Sequence, residues 1–311
     1  MVHAVEGATS GALLLPGPGD QGDGVPVGSG TWSDCRSGLL SPDWLLQAVS
    51  AARSTRAAAA SFMSAGCPGR WRCTRALASP VREISSMQAS AEQAGRDLET
   101  ASAQDVLRWA VDTFGDRFVI ASSMGDGLLA HLASTVASGV DVLFLDTGYH
   151  FAETVGTRDA VAAVYDVNVR TVLPILTVGQ QEAVWGGPLL TQDPDACCAI
   201  RKVEPLNRGL EPYDAWASGI RRDEASTRRH VGVVEWDAKR AMVKVNPVAT
   251  WTQAQVDAYV AEHGVLVNPL VEDGYASIGC APCTRRVAPG ADPRSGRWAQ
   301  VADKTECGLH A

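Results

Sequence analysis

Short apolar runs alternating with amphipathic stretches predict an α/β fold built on a parallel sheet. Phe118-Val-Ile-Ala121 and Val140-Asp-Val-Leu-Phe-Leu145 are short and apolar enough for strands buried on both faces. Each is followed by a polar loop and then by apolar residues at helical spacing. Val169 to Leu173 repeats the pitch as a third strand, and strand–helix alternation of this kind builds a sheet covered by helices. Ligands in such sheets bind at the carboxyl ends of the strands. The polar loops after Ala121 and Leu145 both fall there.

Taken in order, residues 1–86 differ from the rest. They hold a Gly-Pro-Gly-Asp-Gln-Gly-Asp-Gly run, the alanines 57–60 and no lysine. No sustained period runs through them, so they are expected to be a low-complexity, disordered extension. Met87 precedes the first patterned segment and is a candidate start; residues 87–311 form the expected domain. Ser102-Ala-Gln-Asp105 resembles a capping box opening a helix through Val106, Leu107, Ala110 and Phe114. After the first strand, Ser122-Ser-Met-Gly-Asp-Gly127 leads into a helix through Leu128 and Leu132. After the second, Asp146-Thr-Gly-Tyr-His150 leads into a helix from Phe151 to about Tyr165. Ala215 to Ile220 and Met242 to Asn246 read as further strands, and Thr252 caps a helix to Glu262. The chain beyond Asn268 is loop-rich.

Composition bounds the function. The 311 residues are 46% hydrophobic and 20% charged, ordinary for a soluble globular protein. The net charge of −8 offers no global basic field for nucleic acid or an anionic membrane. No apolar run is long enough to span a bilayer. Leu13-Leu14-Leu15 is too short for a secretory core and no Lys or Arg precedes it. The eight cysteines are therefore expected in a reducing cytosol, as metal ligands or catalysts rather than disulfides. Cys35, Cys67 and Cys73 have no ligand spacing and are assigned no chemistry.

Three features carry chemistry. The Ser122–Gly127 loop offers backbone N–H groups and a helix N-terminus to an anion, yet it is neither a Walker loop nor a dinucleotide fingerprint. Cys197-Cys198 and Cys280-Ala-Pro-Cys283 supply four thiols. Four thiolates suit a [4Fe–4S] cluster or zinc. Adjacent cysteines diverge, which suits the spread ligand sites of a cube better than one tetrahedral ion; a vicinal disulfide ranks third. The tail, Lys304-Thr-Glu-Cys307-Gly-Leu-His310, sets one further cysteine beside a flexible glycine with a lysine and a histidine in reach. It reads as a mobile nucleophile or, read alone, as a frayed terminus with an incidental thiol.

The ordered set of segments adds a resemblance. The Ser122 loop, Leu145-Asp-Thr-Gly-Tyr-His-Phe151, Cys197-Cys198-Ala-Ile-Arg-Lys202, Ser218-Gly-Ile-Arg-Arg222, Gly279-Cys-Ala-Pro-Cys-Thr284 and Glu306-Cys-Gly-Leu-His310 together resemble the iron–sulfur branch of the sulfonucleotide reductases, the assimilatory adenylyl-sulfate (APS) reductases. The likeness runs from about residue 100 to the end. It implies an adenine-nucleotide alpha-hydrolase-like fold related to ATP-pyrophosphatase domains. It also implies reduction of adenosine 5′-phosphosulfate to sulfite and AMP by reduced thioredoxin or a glutaredoxin-like donor. Cys307 and His310 are then catalytic, on a mobile tail from about 299 to 311, and Cys197, Cys198, Cys280 and Cys283 hold a [4Fe–4S] cluster. Ser123, Asp146, Thr147 and Gly148 are implied for the nucleotide, and Lys202, Arg294 and Arg297 for the phosphosulfate, whose oxygens suit guanidinium forks; Arg221 and Arg228, in the loop at a strand end, are further candidates for it.

Other functions fit less well. A tRNA sulfur transferase would want an ATP-binding Ser-Gly-Gly-Lys-type loop and a basic face, and the chain has neither. A non-catalytic iron–sulfur regulator would have no use for a mobile thiol. A reductase of the 3′-phosphorylated nucleotide is the alternative within the class.

Overall fold

The computed structural model describes residues 80–299 and, in the tail, residues 301, 304 and 306–310. The three upstream cysteines and most of the 1–86 extension lie outside the described residues. A six-stranded sheet runs in the order β3-β2-β1-β4-β6-β5. Its strands are β1 (Phe118–Ser122), β2 (Val140–Leu145), β3 (Val167–Val172), β4 (Ala215–Ser218), β5 (Val234–Asp237) and β6 (Met242–Val245). All neighbours pair in parallel except β5 with β6. The expected parallel sheet is therefore present, with one antiparallel edge.

The central strands β1, β2 and β4 are largely apolar on both faces because both are covered. Phe118, Ile120, Val142, Phe144, Ala217 and Val245 point into one core. It is packed by α1 (Pro80–Asp97), α2 (Ala103–Phe114), α3 (Leu128–Ser134) and α4 (Ala152–Val164). The alternate residues Val119, Leu143, Trp216 and Met242 form a second core with Leu206 and Leu210. Leu309 of the tail packs against this second core.

Ser102 caps α2 as expected: its hydroxyl accepts from the Asp105 N–H at 3.1 Å and donates to the Asp105 carboxylate at 2.7 Å. α1 has no counterpart in the sequence reading. Its buried face consists of Ala91 and Ala94, too small to register as a hydrophobic stripe, and it begins ahead of Met87. It packs across β5 and β6 so closely that a Cβ on Gly95 would lie 2.4 Å from the Val234 carbonyl oxygen. β5 was also unmarked, being a four-residue edge strand of mixed polarity.

After β3 come α5 (Val178–Trp185), α6 (Leu189–Gln192), α7 (Pro194–Cys198) and α8 (Glu204–Leu210). A π-helical stretch, Ala199–Val203, joins α7 to α8. π-Helical turns tend to occur at functional sites. α9 (Gln253–His263) starts at Thr252, which forms a capping box with Gln255. Among the described residues no helix is long and apolar enough to cross a membrane.

Candidate active site

The chain leaves β1 toward β2 and β3 on one side, then returns to β4 on the other. The strand order therefore reverses between β1 and β4, which opens a crevice at their carboxyl ends. A cavity of about 560 Å³ lies there. Ser123 lines it from the loop after β1, Thr147 from the loop after β2, and Arg221 from the loop after β4. Lys202, Arg228, Arg294, Arg297, Cys280, Cys307 and His310 complete the predicted residues in its wall. Segments separated by up to 187 residues of chain thus meet in one space.

Asp146 and Gly148 are not among the lining residues; they shape the loop instead. Asp146 Oδ1 accepts from the Gly148 N–H at 2.9 Å. Gly148 has φ +72°, and a Cβ there would meet the Arg201 guanidinium at 2.9 Å. Arg201 braces this loop: it is buried, donates to the Thr147 carbonyl and reaches Gln181 Oε1 at 2.9 Å. The adjacent Lys202 lines the cavity instead. The sequence marked both as basic residues after the double cysteine and could not separate their tasks.

The four predicted ligand cysteines are all buried and line one small space with Tyr149, Leu190, Arg201, Lys202 and Pro282. Cys280 Sγ lies 3.3 Å from Thr147 Oγ1. The Ala281 N–H donates to the Tyr149 carbonyl at 2.7 Å, tying the second cysteine pair to the loop after β2. Burial first, then the neighbouring thiols, push Cys197 and Cys283 up to about 11. Such thiols resist ionisation unless a cation compensates them. Burial works against the Lys202 ammonium, but Cys280, Cys307 and Cys198 outweigh it and hold its pKa above the ordinary value. Four buried sulfurs flanked by two cations are a donor set that fits an iron–sulfur cluster. Among the described residues, no three ligating side chains surround a single-ion position.

The arginines divide into two groups. Arg221 donates to Gln253 Oε1 at 2.5 Å, while its other terminal nitrogen NH1 is buried with no partner among the described residues. Arg297 lies over the Trp298 ring at 4.5 Å and leaves Nε buried without a partner. A Cβ on Gly279 would come within 2.4 Å of its guanidinium. Arg228 and Arg294, expected at the phosphosulfate, are engaged with Glu306 of the tail. Arg228 Nε and NH2 meet its two carboxylate oxygens at 2.8 Å each, and Arg294 NH2 reaches Oε2 at 3.1 Å.

The tail is docked along its described residues. Lys304 pairs with Asp195. Cys307 packs beside the cysteine-rich core formed with Leu189 and Trp298. The Leu309 carbonyl accepts from Arg240 NH2 at 3.2 Å. His310 stacks on Trp216 with centroids 6.0 Å apart and an interplanar angle of 8°. Burial, then Lys244, Arg228, Arg240 and Arg294, hold its pKa well below the ordinary value. Trp216 carried no functional signal in the sequence beyond lying in a strand.

The comparisons with known proteins agree with this layout. Residues 117–286 match the family model described as the phosphoadenosine phosphosulfate reductase domain. An adenosine 5′-phosphosulfate reductase of Streptomyces coelicolor is 61% identical over 229 residues, covering 74% of this chain and 97% of that protein. The enzyme of that name from Mycolicibacterium smegmatis is 54% identical over 220 residues, covering 71% of this chain and 93% of the other. Among solved structures, the phosphoadenylyl-sulfate reductase of Candida auris aligns with TM-score 0.56 and 29% identity over 64% of this chain and 97% of that one. The expected adenine-nucleotide alpha-hydrolase-like fold is thereby found, and the chain belongs to the sulfonucleotide reductase family, carrying its phosphoadenosine phosphosulfate reductase domain.

Proposed function

We propose that this oxidoreductase converts adenosine 5′-phosphosulfate to sulfite and AMP, using dithiol electrons from thioredoxin or a glutaredoxin-like donor, in cytoplasmic sulfate assimilation. The observation that carries the reading is the meeting of Cys307 with Lys202, Arg221 and Arg297 at the wall of the switch-point cavity. The names of the bacterial relatives support APS as the nucleotide.

The nucleotide end would lie against the loops after β1 and β2, where Ser123 and Thr147 offer hydroxyls. Asp146 and Gly148 act through the turn they build rather than by contact. The unpartnered nitrogens of Arg221 and Arg297 are donors suited to the phosphosulfate oxygens. The Cys307 thiolate attacks the sulfate sulfur. An S–S bond forms, the S–O bond to phosphate breaks, and its electron pair leaves with AMP. Lys202 stands within electrostatic reach of the Cys307 thiolate and steadies that charge before the attack. A donor thiolate then attacks Cys307 Sγ and sulfite leaves with the S–S electron pair. The donor's second thiol resolves the mixed disulfide, so the dithiol supplies both electrons.

Cys197, Cys198, Cys280 and Cys283 would hold a [4Fe–4S] cluster. When bound, it supplies a tie between the 197–202 and 280–286 segments rather than electrons. His310, with Nδ1 buried and unpartnered, keeps the tail against Trp216 and enters the reaction through that placement.

Incubating anaerobic enzyme with APS and no donor should stop after one turnover. The protein should then carry an added SO₃ group of about 80 Da, as expected of a two-step covalent reaction, and peptide mapping should place it on Cys307. Thioredoxin should release it as sulfite. The 3′-phosphorylated nucleotide, tested in parallel, should form the adduct more slowly. An adduct on another cysteine, or sulfite from a Cys307→Ser enzyme, overturns the mechanism.

A further inference from the structure

Glu306 is the one carboxylate of the described tail, and its placement is specific. Two nitrogens of Arg228 face its two oxygens in a parallel fork, the strongest geometry open to a guanidinium and a carboxylate. Arg294 approaches Oε2 from a different loop at 3.1 Å, and the Thr227 hydroxyl reaches Oε1 at 3.4 Å. Arg228 stands 78 positions away in sequence, so the pairing is wholly tertiary. On its far side Arg228 is also bonded to Glu224. Its charge is therefore balanced within the protein. Burial pushes the Glu306 carboxyl up, but Arg228 and Arg294 outweigh it and keep its pKa below the ordinary carboxylate range.

The remaining cations differ. Arg221 lies 3.6 Å from Glu224, yet it and Arg297 keep buried nitrogens without partners among the described residues, and Lys202 faces thiols rather than carboxylates. Five basic residues thus line one cavity, yet two of them are turned to the tail.

We propose that Glu306 is a positioning residue. Its carboxylate, clamped between Arg228 and Arg294, docks the tail with Cys307 at the cavity, and the substrate's anion falls to Lys202, Arg221 and Arg297. The inference rests on the reading of Cys307 as nucleophile given above. It reassigns Arg228 and Arg294 from substrate recognition to tail recognition. Because the clamp leaves the other cations untouched, nucleotide affinity and tail docking are separable quantities.

The test uses anaerobically purified holoenzyme carrying Glu306→Gln, Glu306→Asp or Arg294→Gln. Alkylation of Cys307 by iodoacetamide, followed by peptide mapping without nucleotide, reads how often the tail opens. It should accelerate about tenfold or more in Glu306→Gln and Arg294→Gln, as loss of a charged hydrogen-bond pair implies. Glu306→Asp, which keeps the charge on a shorter stem, should fall between them and wild type. Single-turnover adduct formation from APS should slow in the same order of variants. Thioredoxin-driven release of sulfite from preformed adduct should not slow, because that step needs the tail open. Nucleotide affinity, measured in a Cys307→Ser background, should be unchanged.

Unaltered alkylation in Glu306→Gln overturns the clamp. So does tighter nucleotide binding by that variant, which would make Glu306 a blocker of the anion site. Weaker nucleotide binding by Arg294→Gln would return that arginine to the substrate and overturn the division. If wild-type enzyme forms no adduct from APS, the functional reading fails, while the alkylation rates still decide the clamp.

Discussion

Lowering the pH from 7.5 to 5.5 should loosen the tail through His310. In the docked tail its ring lies on Trp216 and its Nδ1 is buried without a partner, although the residue as a whole is half-buried. The groups facing it are Lys244, Arg228, Arg240 and Arg294, all cationic. Lys244 is paired with Glu235, Arg240 with Asp237, and both Arg228 and Arg294 with Glu306. Burial and these cations hold the docked imidazole neutral. An open tail returns it to an ordinary pKa near 6.5. A depressed docked pKa means that the open state binds more protons, so docking is at full strength above about pH 6.5 and weakens as pH falls below it.

With the docked ring neutral throughout, the open-to-docked ratio rises at most about tenfold between pH 7.5 and 5.5, or about 1.4 kcal/mol. Glu306 stays ionised over this window, since the arginines keep its pKa below the ordinary carboxylate range. The assay is iodoacetamide alkylation of Cys307, read as the ratio of wild type to His310→Phe at each pH. The ratio cancels the pH dependence of the thiolate itself, and phenylalanine keeps the stack while removing the titration. The ratio should rise toward acid. A flat ratio, or one that falls, would refute the argument that the docked histidine is neutral.

Further outcomes follow from the same geometry. Anaerobically purified enzyme should be brown with about four irons per chain, and Cys198→Ser or Cys280→Ser should remove colour and activity together; a colourless protein with one zinc would contradict it. Lys202→Ala should cost about 1.5–3 kcal/mol in kcat/KM, the value of a lost charged hydrogen bond, with the colour retained; wild-type kinetics would make Lys202 a bystander. Gly95→Ala should lower stability by about 1–3 kcal/mol, read by denaturant unfolding, because its Cβ would lie 2.4 Å from the Val234 carbonyl oxygen; an unchanged midpoint would mean that α1 does not pack on β5 as described. A chain starting at Met87 should fold and keep activity, since it retains the buried Ala91 and Ala94; an inactive product would assign a task to the residues removed.

Much of the frame was legible because it depends on local spacing. β1 and β2 are nearly continuous apolar runs, since a strand covered on both faces has no polar side to alternate with. Ser102 and Thr252 marked their helices because a cap is a contact between residues three apart. The five cysteines stood out by type and neighbourhood, with a chemistry that few other residues supply. α1 escaped because alanines and a glycine make its contact face, and small side chains leave no hydrophobic period.

What only the tertiary structure decided is which charge meets which. In the sequence Arg201 and Lys202 are equivalent; in the fold one braces the loop after β2 and the other lines the cavity. Arg294 and Arg297 read as phosphosulfate contacts and Arg221 and Arg228 as candidates, yet Arg228 and Arg294 close on Glu306. His310 beside a nucleophile suggested chemistry, and the fold lays it on Trp216. Local sequence governs periodicity and capping because those interactions span a few residues. The partner of a long charged side chain depends on where distant segments come to rest, and here the sheet order and the docked tail set that position.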